Sequence, residues 1–330
     1  MKFGPTPIAT AAGTTLAHSI ALPKGRLRKG HVLTVQDVAM LADMGLDEVT
    51  VARLGPGDVD ENAAAARLAA RLCGPGLRMT DAFTGRVNLL AEGAGVVTLD
   101  AAALAQVNAV DPMITLATVP PYQQLAKGGM AATIKIISYA VPDTALLKAC
   151  AAAPQGALSL ASPKLKSATL IITEVSGGAG DKGRAAIEAR LTALNVRLEN
   201  TVTVPHDAAA LAGAISNATS DLILILTGSA TSDPNDIAPA ALRTAGGQVA
   251  RFGMPVDPGN LLFIGDLHNR PVIGLPGCAR SPALNGADWV LSRVICGIAV
   301  TCADIAGMGV GGLLKEIPTR PQPRAPRIAK

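Results

Sequence analysis

Five aliphatic residues in a row, Leu222-Ile-Leu-Ile-Leu226, stop abruptly at Thr227. A run this short and apolar on both faces predicts a strand buried in a parallel sheet, with helices covering each side. The next ten residues, Thr227-Gly-Ser-Ala-Thr-Ser-Asp-Pro-Asn-Asp236, form a loop of hydroxyls, one glycine and two carboxylates. It opens a helix with Asp236 at its cap and Ile237 and Leu242 behind it. Open α/β sheets bind ligands at such loops, because backbone N–H groups and a helix N-terminus converge at the carboxyl ends of the strands.

The surrounding chain repeats the pattern. Ala168 to Thr173 reads as a strand, Asp181 to Leu194 as a helix with Ile187, Leu191 and Leu194 on one face, Leu198 to Val204 as a strand and Asp207 to Ala218 as a helix. Leu261 to Gly265 and Pro271 to Leu275 read as a hairpin, and Leu275-Pro-Gly-Cys-Ala-Arg-Ser281 leads into a helix holding Trp289, Leu291 and Ile295. Such alternation predicts an α/β fold with a doubly wound, mostly parallel sheet over 166–317.

Two units are expected ahead of it and a tail behind. Residues 1–58 read as a β-rich module with one helix, Val35 to Met44, between an N-cap at Thr34 and Gly45, and a strand from Glu48 to Ala52. Residues 59–165 read as a mixed α/β linker domain. It holds an alanine-rich helix over about 59–80 with Asp60 near its cap, strands at Gly95 to Leu99 and Thr133 to Tyr139, and a helix from Asp100 to Val107. Within it Met79 to Glu92 is dense in polar groups, Asp81, Thr84, Arg86 and Asn88, which suits either a site or a polar surface loop. Residues 318–330, rich in Pro and Arg, read as a disordered tail or linker.

Composition narrows the function classes. Hydrophobic residues make up 49% of the 330 but aromatics only 2%, so the core must be built from Ala, Val, Leu and Ile, and few rings are left for stacking on bases. With 29 Lys and Arg against 25 Asp and Glu and no basic stripe, no nucleic-acid surface is expected. Five cysteines, an odd number with no CxxC pair, argue against a disulfide framework or structural zinc and favour the cytoplasm. No apolar run approaches the ~20 residues of a membrane helix and the N-terminus lacks a signal-peptide core, so a soluble, membrane-free chain is expected.

Three loops of the 166–317 domain share a character: Ser176-Gly177-Gly178-Ala-Gly-Asp181, Thr227 to Asp236, and Pro276-Gly277-Cys278-Ala-Arg280. Each follows a strand, so all three are expected on one rim of the sheet. Glycines let amides approach an anion, the hydroxyls of Thr227, Ser229 and Thr231 add donors, and Asp181, Asp233 and Asp236 can hold a divalent cation or bond ring nitrogens. The combination suits a phosphorylated, nitrogen-rich ligand. Asp181 and Asp236 also read as simple helix caps, and Cys278 as a small core residue rather than a reactive thiol.

In their order these motifs resemble the molybdopterin-binding domain shared by molybdopterin molybdenumtransferases and adenylyltransferases. Thr227 to Asp236 is similar to the transferases' Ser-Gly-Gly-x-Ser-x-Gly-x-x-Asp loop, keeping its length, Gly228, the hydroxyl of Thr231 and the final Asp236. Gly180 to Arg190 resembles the helix start that carries the family's ligand-facing Asp, here Asp181, and Leu275-Pro-Gly-Cys278 its Leu-Pro-Gly-Asn turn. Lys29 to Gly45 with Val49-Thr-Val51 resembles the transferases' N-terminal segment. Departures are specific. The family's Lys-Pro-Gly-Lys-Pro is Asp257-Pro-Gly-Asn-Leu261 here, Cys278 and Ala279 replace Asn and Pro, and Thr80 to Asn88 stands where Asp-Gly-Tyr/Phe-Ala is expected. That pattern resembles the divergent subgroup associated with molybdenum-cofactor cytidylyltransferases.

The resemblance implies a cytoplasmic homodimer of molybdenum cofactor biosynthesis that binds molybdopterin or its nucleotide form. It implies insertion of molybdate into adenylylated molybdopterin with Mg²⁺, Asp181 and Asp236 acting as catalytic and metal-binding carboxylates. Charge balance nominates Arg86 or Arg280 for the missing cation. The alternative is a non-catalytic carrier that passes cofactor to a cytidylyltransferase or an apo-molybdenum hydroxylase. A generic dinucleotide-binding enzyme is disfavoured, since no G-x-G-x-x-G opens a helix after a strand.

Overall fold

The computed structural model describes residues 1–176 and 182–315. The expected tail over 318–330 therefore lies outside the described residues. The chain divides into two compact units, one made of Met1–Gly93 and Val97–Leu160, the other of Ala94–Val96 and the chain from Ala161 onward.

In the first unit the N-terminal strand Lys2–Pro7 runs antiparallel to Glu48–Arg53, which also pairs with Thr15–Leu16. Ile8, Leu16, Leu33, Leu41 and Val51 close a small core beneath them. The helix Val35–Asp43 starts where expected, at a capping box in which Thr34 accepts the Asp37 N–H and the Asp37 carboxylate accepts the Thr34 N–H. That carboxylate also bonds His31 Nε2 at 2.8 Å, and the His31 contact followed by the Thr34 N–H and hydroxyl holds its pKa down to about 2 from 3.8. Because the folded value lies below the unfolded one, this stabilisation is complete above 3.8 and is lost as pH falls towards 2. Asp37→Ala should therefore lower unfolding free energy at pH 6 by about 1 kcal/mol, the usual cost of a lost cap. In urea titrations it should also flatten the acid limb of the stability curve between those two values.

The rest of that unit is built around a four-stranded antiparallel sheet in the order Ile114–Thr118, Met130–Ile136, Arg86–Ala91, Leu77–Met79. The helix Glu61–Leu72 packs on it with Ala64, Ala65, Leu68 and Leu72 fully buried. Several expectations need correction here. The alanine-rich helix ends at Leu72, with Cys73 leaving helical backbone just ahead of the Gly74-Pro-Gly76 stop within the 59–80 segment. The polar stretch from Met79 is a loop only as far as Gly85: Arg86–Ala91 is a strand whose Val87, Leu89 and Ala91 face the core while Arg86, Asn88 and Leu90 are more exposed. The strand expected at Thr133 to Tyr139 begins at Met130 and ends at Ile136. A strand at Ile114–Thr118 and a helix at Asp143–Ala152 add to the expected elements.

The second unit carries the predicted doubly wound sheet. Its six strands lie in the order Arg197–Pro205, Ser167–Glu174, Leu222–Leu226, Arg270–Leu275, Phe263–Leu267, Gln248–Phe252, the first four parallel and the last two antiparallel. Side-chain alternation splits the core in two. Leu170, Ile172, Leu222, Leu224 and Leu226 face the helices Arg184–Thr192 and Gly286–Ile295, whereas Ile171, Ile223 and Ile225 face Ala208–Asn217 and Ile237–Thr244. The uninterrupted aliphatic run of the central strand is thus required by apolar cover on both sides. The first hairpin strand sits two residues later than expected, at Phe263–Leu267, because Gly259 and Asn260 hold a turn onto Leu262 and Met254. Among the described residues no helix is long and apolar enough to cross a membrane.

Candidate functional site

Strand register brings the loops together. Ile172 pairs with Leu226 and Leu226 with Leu275, so Thr227 and Pro276 leave their strands beside Thr173, one residue before the end of the Ser167–Glu174 strand. Gly228 is why they can meet so closely. A Cβ there would stand 2.6 Å from the Thr173 carbonyl oxygen and 3.1 Å from the Val175 nitrogen, both backbone atoms. Its N–H donates to Thr173 Oγ1 at 2.9 Å, and that hydroxyl lies 2.7 Å from His206 Nδ1. The hydroxyl proton goes to Nδ1 when the ring carries its own proton on Nε2.

The loop after the central strand folds on itself. Thr227, 9% exposed, donates its hydroxyl to the Ser229 carbonyl at 2.6 Å and lies 3.3 Å from the hydroxyl of Thr231, itself 8% exposed. Asp233 accepts the Asn235 N–H at 2.7 Å. Asp236 accepts the Ser232 N–H on one carboxylate oxygen at 2.9 Å and the Ile237 N–H on the other at 2.7 Å, capping the Ile237–Thr244 helix. Those two amide bonds, with His206 nearby, hold its carboxyl below the usual carboxylate range. Each oxygen accepts one proton and keeps a lone pair.

Arg280 ties the second and third loops to the residue that follows the first. From the turn Gly277–Arg280 its guanidinium donates to the Thr227 carbonyl at 2.9 Å and to the Lys182 carbonyl. Gly183, at φ 103°, lets the start of the Arg184–Thr192 helix lie against it, since a Cβ there would sit 2.8 Å from Arg280 Cγ. Burial lowers the pKa of this guanidinium, which nevertheless stays cationic. Arg280, nominated as a cation for a ligand, is thus engaged with loop carbonyls. Arg86 begins the Arg86–Ala91 strand of the other unit.

Of the other candidates, Ser176 is exposed at the edge of the first loop, Ser229 is exposed, Pro276 is buried, Gly277 is exposed and Cys278 is half-buried. Burial pushes the Cys278 thiol up, towards the protonated form. Gly177, Gly178 and Asp181 lie outside the described residues. The helix read from Asp181 runs over Arg184–Thr192, with Gly183 at its N-cap. Asp257, where the resemblance expects a lysine, pairs with Lys315 at 3.8 Å. Among the described residues no three His, Cys, Asp or Glu side chains are grouped to hold a metal.

Two residues of the rim are not marked by any motif in the sequence. His206 follows the Arg197–Pro205 strand, and its only signal is its place at a strand end. Arg190 donates to the carbonyls of Ala279, Ser281 and Ala283 and pairs with Asp288, fixing the third loop to both neighbouring helices. A lone arginine on an otherwise apolar helix face is the available hint.

Comparison with known proteins adds two family matches. Residues 5–53 match a domain of unknown function, DUF8806, and residues 167–294 match a family described as probable molybdopterin binding domain. No curated protein gives a significant match. Among solved structures, similarity is found to a molybdopterin biosynthesis MoeA protein from Pyrococcus horikosii, at 15% identity over 90% of this chain and 75% of that one, TM-score 0.33. The MoaB molybdopterin biosynthesis enzyme from Thermus thermophilus is 18% identical over 39% of this chain and 89% of its own, TM-score 0.28. The CinA protein of unknown function from Thermoplasma acidophilum is 18% identical over 35% and 90%, TM-score 0.26. Scores this low add nothing to the fold, which rests on its strand order. Residues 167–294 thus match the probable molybdopterin binding domain, and all three rim loops fall within that span.

Proposed function

We propose that this chain binds molybdopterin or its nucleotide form in molybdenum cofactor biosynthesis, on the rim built by the three loops. The observation that supports it best is their convergence through Arg280 and Gly228 inside the span matching a molybdopterin binding domain. In this reading the terminal phosphate lies against the amides of 227–231 and the 176–180 loop. The Ile237–Thr244 helix adds partial positive charge at its N-terminus. Thr231 and Ser229 supply hydroxyl donors, and Asp233 accepts from ring nitrogens of the pterin.

The reaction assigned is insertion of molybdate into adenylylated molybdopterin with release of the nucleotide. Mg²⁺ commonly reaches such sites through substrate phosphates and one or two carboxylates, so a preformed three-ligand cage is not required. Asp236, ionised and with a lone pair left on each oxygen, fits that part, with Asp181 as the second carboxylate. The ion supplies Lewis-acid polarisation of a phosphoryl group when bound. The chain's own residues hold the phosphate, fix the loop and orient the ring. A cytoplasmic homodimer completes this reading.

A second reading, a non-catalytic carrier serving a cytidylyltransferase or an apo-molybdenum hydroxylase, is favoured by one observation. Arg280 is spent on loop carbonyls, and Asp257 and Asn260 stand where the resembled transferases have lysines. Nucleotide release from adenylylated molybdopterin, molybdate and Mg²⁺ separates the two. Multiple turnovers are expected for the transferase, and stoichiometric binding without release would establish the carrier. Asp236→Ala should abolish turnover while costing about 1 kcal/mol of stability through the lost cap; undiminished turnover would remove Asp236 from the assignment.

A further inference from the structure

The first unit holds a second cluster of charged groups that the proposed function does not use. A cavity of about 250 Å³ is lined by Lys29, Glu61, Thr84, Lys135, Ile137 and Tyr139. It is smaller than the ~300–1,000 Å³ of drug-sized sites and suits a small ligand. Its charged wall is held firmly. Lys135 donates to the Thr84 carbonyl, and its ammonium stands 3.7 Å from Glu61 Oε2, too far for a good hydrogen bond. Thr84 adopts φ 49°, uncommon for a β-branched residue, in a turn fixed from both sides. The Gly85 N–H donates to Asn62 Oδ1 at 2.8 Å, and the Gly85 carbonyl accepts the Ile136 N–H at 2.8 Å. Gly85, at φ 70°, must be glycine here, since a Cβ would stand 2.8 Å from the Ile136 carbonyl oxygen.

Opposite lies an apolar wall. The Tyr139 ring stacks on Phe3 at 6.3 Å, and its hydroxyl donates to the Ala17 carbonyl at 2.9 Å. With that proton committed, the tyrosine offers a ring face rather than a donor. The Glu61 N–H donates to the Tyr139 carbonyl at 2.9 Å, locking both walls to one another. Glu61 is raised in pKa by burial, which outweighs the attraction of Lys135 and Lys29.

Two ammonium groups recognise an oxyanion. A carboxylate beside them repels any anion that has no proton to give it and accepts from one that has. We propose that this cavity binds inorganic phosphate as hydrogenphosphate, with Lys29 and Lys135 on its oxygens and Glu61 accepting its P–OH, and so excludes sulfate. Hydrogenphosphate carries that proton at neutral pH, whereas sulfate does not.

Calorimetric titration of the full chain at pH 7 with inorganic phosphate and sulfate tests this. Saturable binding of inorganic phosphate is expected, with sulfate at least about tenfold weaker. Glu61→Gln should let sulfate bind as well as phosphate, and Lys135→Met should weaken phosphate at least about tenfold. Should Lys135→Met fail to fold, the exposed Lys29→Ala decides, with at least about threefold weaker phosphate binding expected. Equal affinity for sulfate and phosphate in the wild type, no saturable binding, or unchanged affinity in the lysine variants would overturn the proposal.

Discussion

Replacing Gly228 with alanine is expected to weaken pterin binding at least about tenfold while leaving the six-stranded sheet folded. The added methyl would meet the Thr173 carbonyl oxygen at 2.6 Å and the Val175 nitrogen at 3.1 Å. Neither is the end of a flexible side chain, so the loops after the two strands must separate. Overpacking of this kind costs roughly 1–3 kcal/mol. The Gly228 N–H bond to Thr173 Oγ1 is lost in the same movement. The strand below, Leu222–Leu226, is buried on both faces and far better anchored. A lowered melting temperature with unchanged far-ultraviolet circular dichroism, together with weakened ligand binding, is the expected pattern.

Arg280→Ala should have the larger effect on stability. Its guanidinium satisfies the carbonyls of Thr227 and Lys182, and a buried acceptor left without its donor costs about 1–3 kcal/mol. A loss of about 2 kcal/mol in urea unfolding is expected, with ligand binding reduced in parallel because the loops no longer share a brace. Arg280→Lys should recover little of either, since a single ammonium lacks the rigid fork that reaches two carbonyls at once. If Arg280→Ala left stability unchanged and removed only binding, Arg280 would be a ligand contact rather than a brace.

The legible part of this protein is the part in which one physical demand dominates. The run Leu222 to Leu226 has no alternative to a two-sided burial, and the small residues after it have no alternative to a loop. The caps at Thr34, Asp60, Asp207 and Asp236 fall where hydroxyl or carboxylate residues precede apolar periodicity. The strand Arg86–Ala91 is obscured because its outward positions carry Arg and Asn, and those polar groups mask the alternation of Val87, Leu89 and Ala91. The helix Asp143–Ala152 has only Leu146 and Ala149 buried, too faint a stripe to announce itself. At the site, the convergence of three loops follows from strand order, but what Arg280 does cannot. Its partners are backbone carbonyls, and only the register of the parallel strands decides which of them it meets.

Equilibrium binding of molybdopterin decides whether the rim at the carboxyl ends of the parallel strands is a molybdopterin site. It can be measured by quenching of pterin fluorescence, with the wild-type chain and Gly228→Ala side by side. Saturable one-to-one binding by the wild type and at least about tenfold weaker binding by the variant are predicted. Absence of binding, or equal binding by both proteins, would contradict the assignment.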